Sequence, residues 1–298
     1  MTIDLDKMTP IVEPQVKAKG LSPSSFQEFS SCQRKWFLRK VAKVPIDTDA
    51  SEDYAAFNIG KAFHKCLEDT KHDLTGLTYS QVKLTSLDFG IECDDDVAMI
   101  YAMLSKYKQL HAKVPLEVVG CEVIIDVPEF YGITDVVMYE DGVGLWIVDI
   151  KTAATFQSSL LNTLTSHPQL ALYARYFDVV AHAVGMKAIP FAGVRLRTTT
   201  KSKLTRKEGE STTDFIARMA KGIKSSDIAV PVELLNIAAI SEQHQLVYSK
   251  ISDAKVEDEK KFAPNYGNCM SYFRPCNYYS RCHGKNYTNA PKLEMVEV

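Results

Sequence analysis

Three short strings far apart in the chain carry residues that could share one reaction centre: Gly60-Lys-Ala-Phe-His64, Gly132-Ile-Thr-Asp135 and Asp149-Ile-Lys151. A fourth, Gln169-Leu-Ala-Leu-Tyr173, opens a helical stretch. Two carboxylates, Asp135 and Asp149, near the ends of adjacent strands can hold a hard divalent cation through oxygen. A lysine beside them, Lys151, can orient or activate water, or stabilise developing negative charge. Together these groups are equipment for hydrolysing a phosphodiester. The bland alternative for Asp149 and Lys151 is an ion pair at a strand end. His64 and Tyr173, taken singly, read as a core histidine and a packing aromatic.

These residues need elements to position them. Val118 to Val127, Tyr131 to Tyr139 and Leu145 to Ile150 are short β-branched runs, and Asp141-Gly142 between the last two is a hairpin signal. Period-two alternation puts Asp149 and Lys151 on one face. Ile147, Val148 and Ile150 are apolar on both faces, which predicts a central, buried strand. A carboxylate and a lysine there are costly unless paired or metal-bound.

Ser22-Pro23 reads as an N-cap with proline at the first helical position, opening a helix through Phe26, Phe29, Cys32, Trp36 and Phe37 to Lys43. After a polar break at 45–51, helices are predicted from Glu52 to Lys71 and from Asp95 to His111. Gly60 in the first of these would admit a neighbouring backbone. After the strands, Pro168 opens a helix over Gln169 to Val184, Ile189 to Thr198 forms a strand, and 211–224 and 233–254 are helical. The tail from Phe262 is irregular and rich in Cys, Tyr and Asn. Helices on either side of a run of strands predict an α/β domain with a central mixed sheet flanked by helices.

The chain has 298 residues, 46% of them hydrophobic and 24% charged, which fits a globular protein with a sizeable core. No apolar run approaches the ~18 residues of a membrane span. Met1 to Gly20 lacks the apolar centre of a secretory signal and reads as a flexible lead-in. The net charge of −2 gives no global basic field. Locally, Arg195, Arg197, Lys201, Lys203, Arg206 and Lys207 form a run with no acidic residue, and Arg34, Lys35, Arg39, Lys40 and Lys43 form a second cluster. Either could contact phosphates, or be a solvated loop and helix face. Seven cysteines, an odd and unevenly spaced set, argue against a secreted disulfide framework. Ligation of a metal or cluster by some of them in a reducing, cytoplasmic compartment is the better reading. Cys66, Cys93 and Cys121 lie in apolar-periodic segments and read as core.

In order and in type, the four strings resemble the PD-(D/E)xK nuclease superfamily, in particular its RecB-like branch. There a G-x-x-x-H helix precedes the core, a G-x-x-D strand supplies one carboxylate, D-x-K supplies the second with the lysine, and Q-x-x-x-Y follows on a helix. The 14 residues between Asp135 and Asp149 suit one hairpin. The resemblance covers Leu21 to His283. It implies a restriction-endonuclease-like core and a Mg²⁺ or Mn²⁺ held by His64, Asp135, Asp149 and the carbonyl of Ile150. Lys151 then positions water or stabilises the transition state, and Gln169 and Tyr173 contact DNA or order the site. Glu122 is an outer residue of the same region. Arg195, Arg197, Lys201 and Lys203 are the expected DNA contacts.

Cys269, Cys276 and Cys282 leave a four-ligand site one short, and Cys32 on the first helix is the natural fourth. One N-terminal and three C-terminal cysteines around a RecB-like core resemble the iron–sulfur nucleases, which include the AddB subunit of helicase–nucleases and CRISPR-associated RecB-like exonucleases. That resemblance implies a [4Fe–4S] cluster, with structural Zn²⁺ as the alternative. The organisation expected is a lead-in over 1–20, a nuclease domain over 21–261, a cluster module over 262–290 and a tail over 291–298. The activity implied is a metal-dependent deoxyribonuclease, an exonuclease on single-stranded or free DNA ends. It would serve recombination, repair, replication or CRISPR-type processing, in the cytoplasm (a host cell's, if a phage encodes it). With no P-loop signature in the chain, unwinding would fall to a helicase or recombination partner. The alternative is a non-catalytic DNA-binding subunit of such a complex, although degenerate members lose the acidic residues or lysine that this chain keeps.

Overall fold

A computed structural model describes residues 20–44, 51–114, 116–155, 164–252, 254–271, 274–276, 278 and 282. The expected lead-in over 1–20 and break over 45–51 lie outside these residues except for Gly20 and Ser51, and the tail over 291–298 lies wholly outside them.

Five strands form one mixed sheet in sequential order: β1 (Glu117–Val127), β2 (Phe130–Glu140), β3 (Gly144–Ala153), β4 (Phe191–Thr200) and β5 (Ser225–Pro231). β1–β2, β2–β3 and β4–β5 run antiparallel, and β3–β4 runs parallel. The Asp141-Gly142 turn joins β2 to β3, with Gly142 at φ 72°, a conformation that costs glycine little. The parallel step crosses over through α6 (Pro168–Arg175) and α7 (Phe177–Ala183).

Strand β3 explains the layering. Trp146, Val148 and Ile150 enter one core with Phe63 and Leu67 of α3 (Ser51–Asp69), Met103 and Tyr107 of α5 (Asp94–Lys113), and Phe215 of α8 (Thr212–Gly222). Leu145 and Ile147, on the opposite face, pack with Leu170 and Leu172 of α6 and Ile240 of α9 (Ile237–Ile251). A strand covered on both sides is apolar at nearly every position, and the alternation that leaves Asp149 and Lys151 on the α6 face survives inside it.

Several elements depart from expectation. The first helix is two, α1 (Pro23–Ser31) and α2 (Gln33–Lys40), broken at Cys32, which is extended at φ −161°, ψ 108°. Its sulfur accepts the Lys35 N–H at 3.5 Å and the Asn265 N–H at 3.4 Å. The break therefore depends on a partner in the C-terminal segment. Helix 169–184 is likewise interrupted at Tyr176. Helix α4 (Tyr79–Leu87) was not anticipated, although Thr78 and Gln81 form a capping box. Strand β5 was also missed. The helix expected from 233 starts at Ile237, after a 3-10 turn over Val232–Leu234.

A third, smaller core joins Phe29, Trp36, Phe37 and Leu38 to Phe262 and Tyr278, with the Phe37 and Phe262 rings stacked at 4.7 Å. It ties the N-terminal helices to the C-terminal segment. Among the described residues, no helix is long and apolar enough to cross a membrane. Of the three cysteines expected in the core, Cys66 is buried and Cys121 half-buried, but Cys93 is exposed at the N-terminal boundary of α5.

Candidate active site

The site opens where β2 and β3 part. Their ladder runs from Glu140–Gly144 to Val136–Val148 and stops one residue short of Asp135 and Asp149. β3 continues alongside β4 to Ala153. The Ile150 N–H, released from β2, donates instead to Asp135 Oδ2 at 2.6 Å. The divergence thus turns two strand positions into facing carboxylates, and the hydrogen bond holds one of them between the strands.

Asp149 is 1% exposed. Its Oδ1 accepts from Lys151 Nζ at 2.9 Å and from Gln169 Nε2 at 2.9 Å. Its Oδ2 is buried with no partner among the described residues, and such an atom demands explanation. Desolvation raises the Asp149 pKa to about 6; Lys151 opposes the rise and Asp135 reinforces it. Asp135 is raised by desolvation too, against Lys151 and the Ile150 N–H. For Lys151, desolvation pulls the pKa down, but Asp149 and then Asp135 outweigh it, so the ammonium stays charged. Its side chain is 45% exposed, facing the opening.

His64 reaches the site from α3, with Nδ1 3.9 Å from Asp135 Oδ1. Burial, then Lys151, lowers its pKa to about 4, against Asp149 and a hydrogen bond to the Ile150 backbone. The imidazole is therefore neutral near pH 7, the form that ligates metals. Gly60, one helical turn earlier, lets α3 approach β3: a Cβ there would lie 3.1 Å from Thr152 Oγ1.

Gln169 and Tyr173 act together from α6. Gln169 Nε2 also donates to the Tyr173 hydroxyl at 3.2 Å, which donates to the Ile133 carbonyl at 2.7 Å. The Tyr173 ring fills the space beside Gly132, where a Cβ would meet Tyr173 Cε1 at 2.8 Å. Tyr173 is buried to 4% exposure, with its hydroxyl committed to the Ile133 carbonyl. Of the two roles read for this pair, ordering the site is the one their bonds serve.

Two further groups border the site. Glu122 sits in β1 between the pairs Cys121–Val136 and Val123–Thr134, so it faces Asp135 across the ladder. Its φ is 50°, a left-handed value unusual for glutamate. Desolvation, then Asp135 and Glu68, raises its pKa to about 7. His167, missed in the sequence, lies close enough to Asp149 and Lys151 for both to act on its pKa, which burial lowers overall. Its Nδ1 is buried with no partner among the described residues. The legible signal was its place, directly ahead of Pro168 and two residues before Gln169.

These donors fit a divalent cation. Two buried carboxylates face one ammonium, a carboxylate oxygen lacks a partner among the described residues, and a neutral imidazole and the Ile150 carbonyl stand beside them. Among the described residues, no three His, Cys, Asp or Glu side chains are already closed into a metal cage. The cysteines also converge. Cys282 has its pKa raised to about 11 by burial, then by Cys276, Cys269 and Cys32, and Cys269 is raised by burial, Cys276 and Cys32. The Cys276 N–H donates to the Cys269 carbonyl at 2.7 Å, and all four thiols are free.

Two members of the basic run over 195–207, Arg195 and Arg197, are corrected. Arg197 is 0% exposed, and its guanidinium donates to Asp227 at 2.7 Å and to the Tyr107 hydroxyl at 3.3 Å, with His111 Nδ1 at 3.0 Å. Arg195 pairs with Asp227 at 3.1 Å and Glu140 at 3.2 Å and lies over the Trp146 ring. Both are structural ions committed to buried or half-buried carboxylates, so neither is available to DNA. Arg206 pairs with Asp95 at 2.8 Å. Lys201 is half-buried, with its pKa lowered by burial against Asp96, and Lys203 is exposed.

The model of the PD-(D/E)XK nuclease superfamily matches residues 20–283. No curated protein matches the chain. The chain belongs to the PD-(D/E)XK nuclease superfamily.

Proposed function

We propose that this member of the PD-(D/E)XK nuclease superfamily is a Mg²⁺- or Mn²⁺-dependent deoxyribonuclease that cuts DNA from free, single-stranded ends. The observation that carries the reading is the pair of buried carboxylates at the β2–β3 divergence, with one oxygen of Asp149 unpartnered among the described residues and Lys151 held against the other. His64, Asp135, Asp149 and the Ile150 carbonyl would hold the ion. When bound, such an ion polarises the scissile phosphate and lowers the pKa of a water.

The chain's own residues do the rest. Lys151 keeps its proton and offers a fixed positive charge at the mouth of the site, where negative charge grows on the phosphate. Gln169, anchored by Tyr173, holds Asp149 in one rotamer. The Ile150 N–H does the same for Asp135. Glu122 and His167 face the same opening from β1 and from the start of α6. Support for catalysis over a non-catalytic scaffold is the retention of Asp135, Asp149 and Lys151 in hydrogen-bonded geometry.

Cys32, Cys269, Cys276 and Cys282 are proposed to ligate a [4Fe–4S] cluster, fastening the C-terminal segment to the break between α1 and α2. The mutual influence of these thiols supports it. DNA processing in recombination, repair, replication or CRISPR-type adaptation, with a helicase or recombination partner, follows from the RecB-like resemblance.

The test is cleavage of end-labelled single- and double-stranded DNA with Mg²⁺, Mn²⁺ or EDTA, comparing wild type with Lys151→Ala. Metal-dependent degradation should fall at least ~10²-fold in the variant, the scale of one lost electrostatic contact to the transition state. The product ladder gives the polarity. Equal cleavage by both proteins, or cleavage in EDTA, refutes the assignment.

A further inference from the structure

A second feature lies along the same strand as the catalytic carboxylate. A cavity of about 510 Å³ opens between α1, α2, the start of β2 and the C-terminal end of α9, lined by Ser25, Trp36, Lys40, Tyr131 and Tyr248 among others. That volume is within the ordinary range of ligand sites. Tyr131 is four residues before Asp135 on β2, so the cavity begins about 13 Å of strand from the catalytic carboxylate.

Its walls are of two kinds. Trp36 is a fixed panel: its indole N–H donates to Ser25 Oγ at 2.7 Å, and its ring packs on Phe29 at 5.4 Å and Phe262 at 5.8 Å. Tyr131 and Tyr248 are half-buried, and Lys40 is exposed in the last turn of α2. The segment that closes one side is pinned to the β1–β2 turn by the Leu21 N–H on the Glu129 carbonyl at 3.0 Å. Aromatic surfaces beside an exposed cation are what sites for single strands combine, stacking the base and meeting the phosphate. Arg195 and Arg197, by contrast, are spent on the protein's own carboxylates, which leaves Lys40 as a cation of the second basic cluster placed at a cavity.

We propose that this cavity receives an unpaired nucleotide of the strand being cut, with its base against Tyr131 and Tyr248 beside the Trp36 wall and its phosphate near Lys40. The inference rests on the nuclease reading above and adds where an unpaired base of its substrate is held. A base inside a duplex cannot enter without leaving its stack, at a cost of a few kcal/mol. Tyr131 and Asp135 share one strand, so an occupant of the cavity lies along β2 from the proposed cutting site.

The experiment measures binding of a fluorescent single-stranded oligonucleotide in EDTA, and its cleavage in Mg²⁺. One abasic residue is scanned along the strand. Wild type should bind about 5- to 150-fold more weakly when the abasic residue falls at one particular position, the range that base–aromatic stacking spans. Tyr131→Ala and Tyr248→Ala should show that loss on the intact strand and no longer sense the abasic position. Tyr131→Phe, which keeps the ring, should bind as wild type does. Unchanged melting temperatures confirm that the variants fold. Wild-type binding indifferent to the abasic position, or alanine variants that bind and cut like wild type, overturns the inference and leaves the nuclease standing. A wild type that cleaves no DNA in any metal overturns the nuclease reading itself.

Discussion

Asp149→Asn should make the metal-free protein more stable while abolishing its cleavage. In the folded chain the Asp149 carboxyl is 1% exposed, and burial together with Asp135 moves its pKa from 3.8 to about 6. Two pK units at about 1.4 kcal/mol each give about 3 kcal/mol by which the charged form is disfavoured in the folded state. The folded pKa lies above the unfolded one, so the folded state binds the extra proton. The penalty is absent below pH 4, grows as pH rises through the window from 3.8 to 6, and is complete above it. Asparagine keeps the shape and an acceptor for Lys151 and Gln169 but never ionises. The variant should therefore gain about 3 kcal/mol at pH 8 in EDTA, and about 1 kcal/mol less than that at pH 5. Lys151, losing its partner, is half-exposed and can be hydrated. Chemical denaturation at the two pH values reads this directly. A divalent cation should reverse the order by stabilising wild type, since a ligand that binds only the folded state adds stability by mass action. A variant less stable than wild type in EDTA at pH 8, or one stabilised equally by Mg²⁺, would refute the reasoning.

Arg197→Met should cost about 3 kcal/mol by leaving Asp227 short of a buried partner, yet leave the salt dependence of DNA binding unchanged. A stable variant with a shallower salt slope would restore Arg197 as a phosphate contact. Cys276→Ser should remove the visible absorbance of protein purified without oxygen and lower its melting temperature; a colourless wild type containing zinc would assign the other metal. Gly132→Ala should cost about 1–3 kcal/mol of stability and lower turnover as well, because the new methyl displaces Tyr173 from the Ile133 carbonyl. Turnover equal to wild type would separate Tyr173 from the ordering of Asp149.

How legible the site was depended on the reach of the interactions that build it. Asp149 and Lys151 share a face because strand alternation is local, and the apolar residues around them already marked a strand buried on both sides. The Asp141-Gly142 turn likewise declared its hairpin. What the chain did not declare was set at long range. Helical periodicity runs on through Phe29 and Trp36, yet the helix breaks at Cys32, whose sulfur meets an N–H 233 residues away. The divergence of β2 and β3 is also tertiary: Asp135 claims the Ile150 N–H that a regular ladder would have given to β2.

Missing one strand changed the electrostatic reading of another. Without β5, Asp227 had no place, and Arg195 and Arg197 looked like the start of a free basic run. Paired on β5, Asp227 lies opposite Arg197 in the β4–β5 register and within 3.1 Å of Arg195. A basic string in a strand is therefore a DNA-binding candidate only after its neighbour strand has been searched for carboxylates, because a buried guanidinium must find one. The same rule applied to Asp149 gives the opposite result. Among the described residues its search ends with one oxygen unanswered, although Lys151 and Gln169 satisfy the other. In one sheet, the pairing around Arg197 marks a structural ion, and the unanswered oxygen of Asp149 is where the proposed cation would bind.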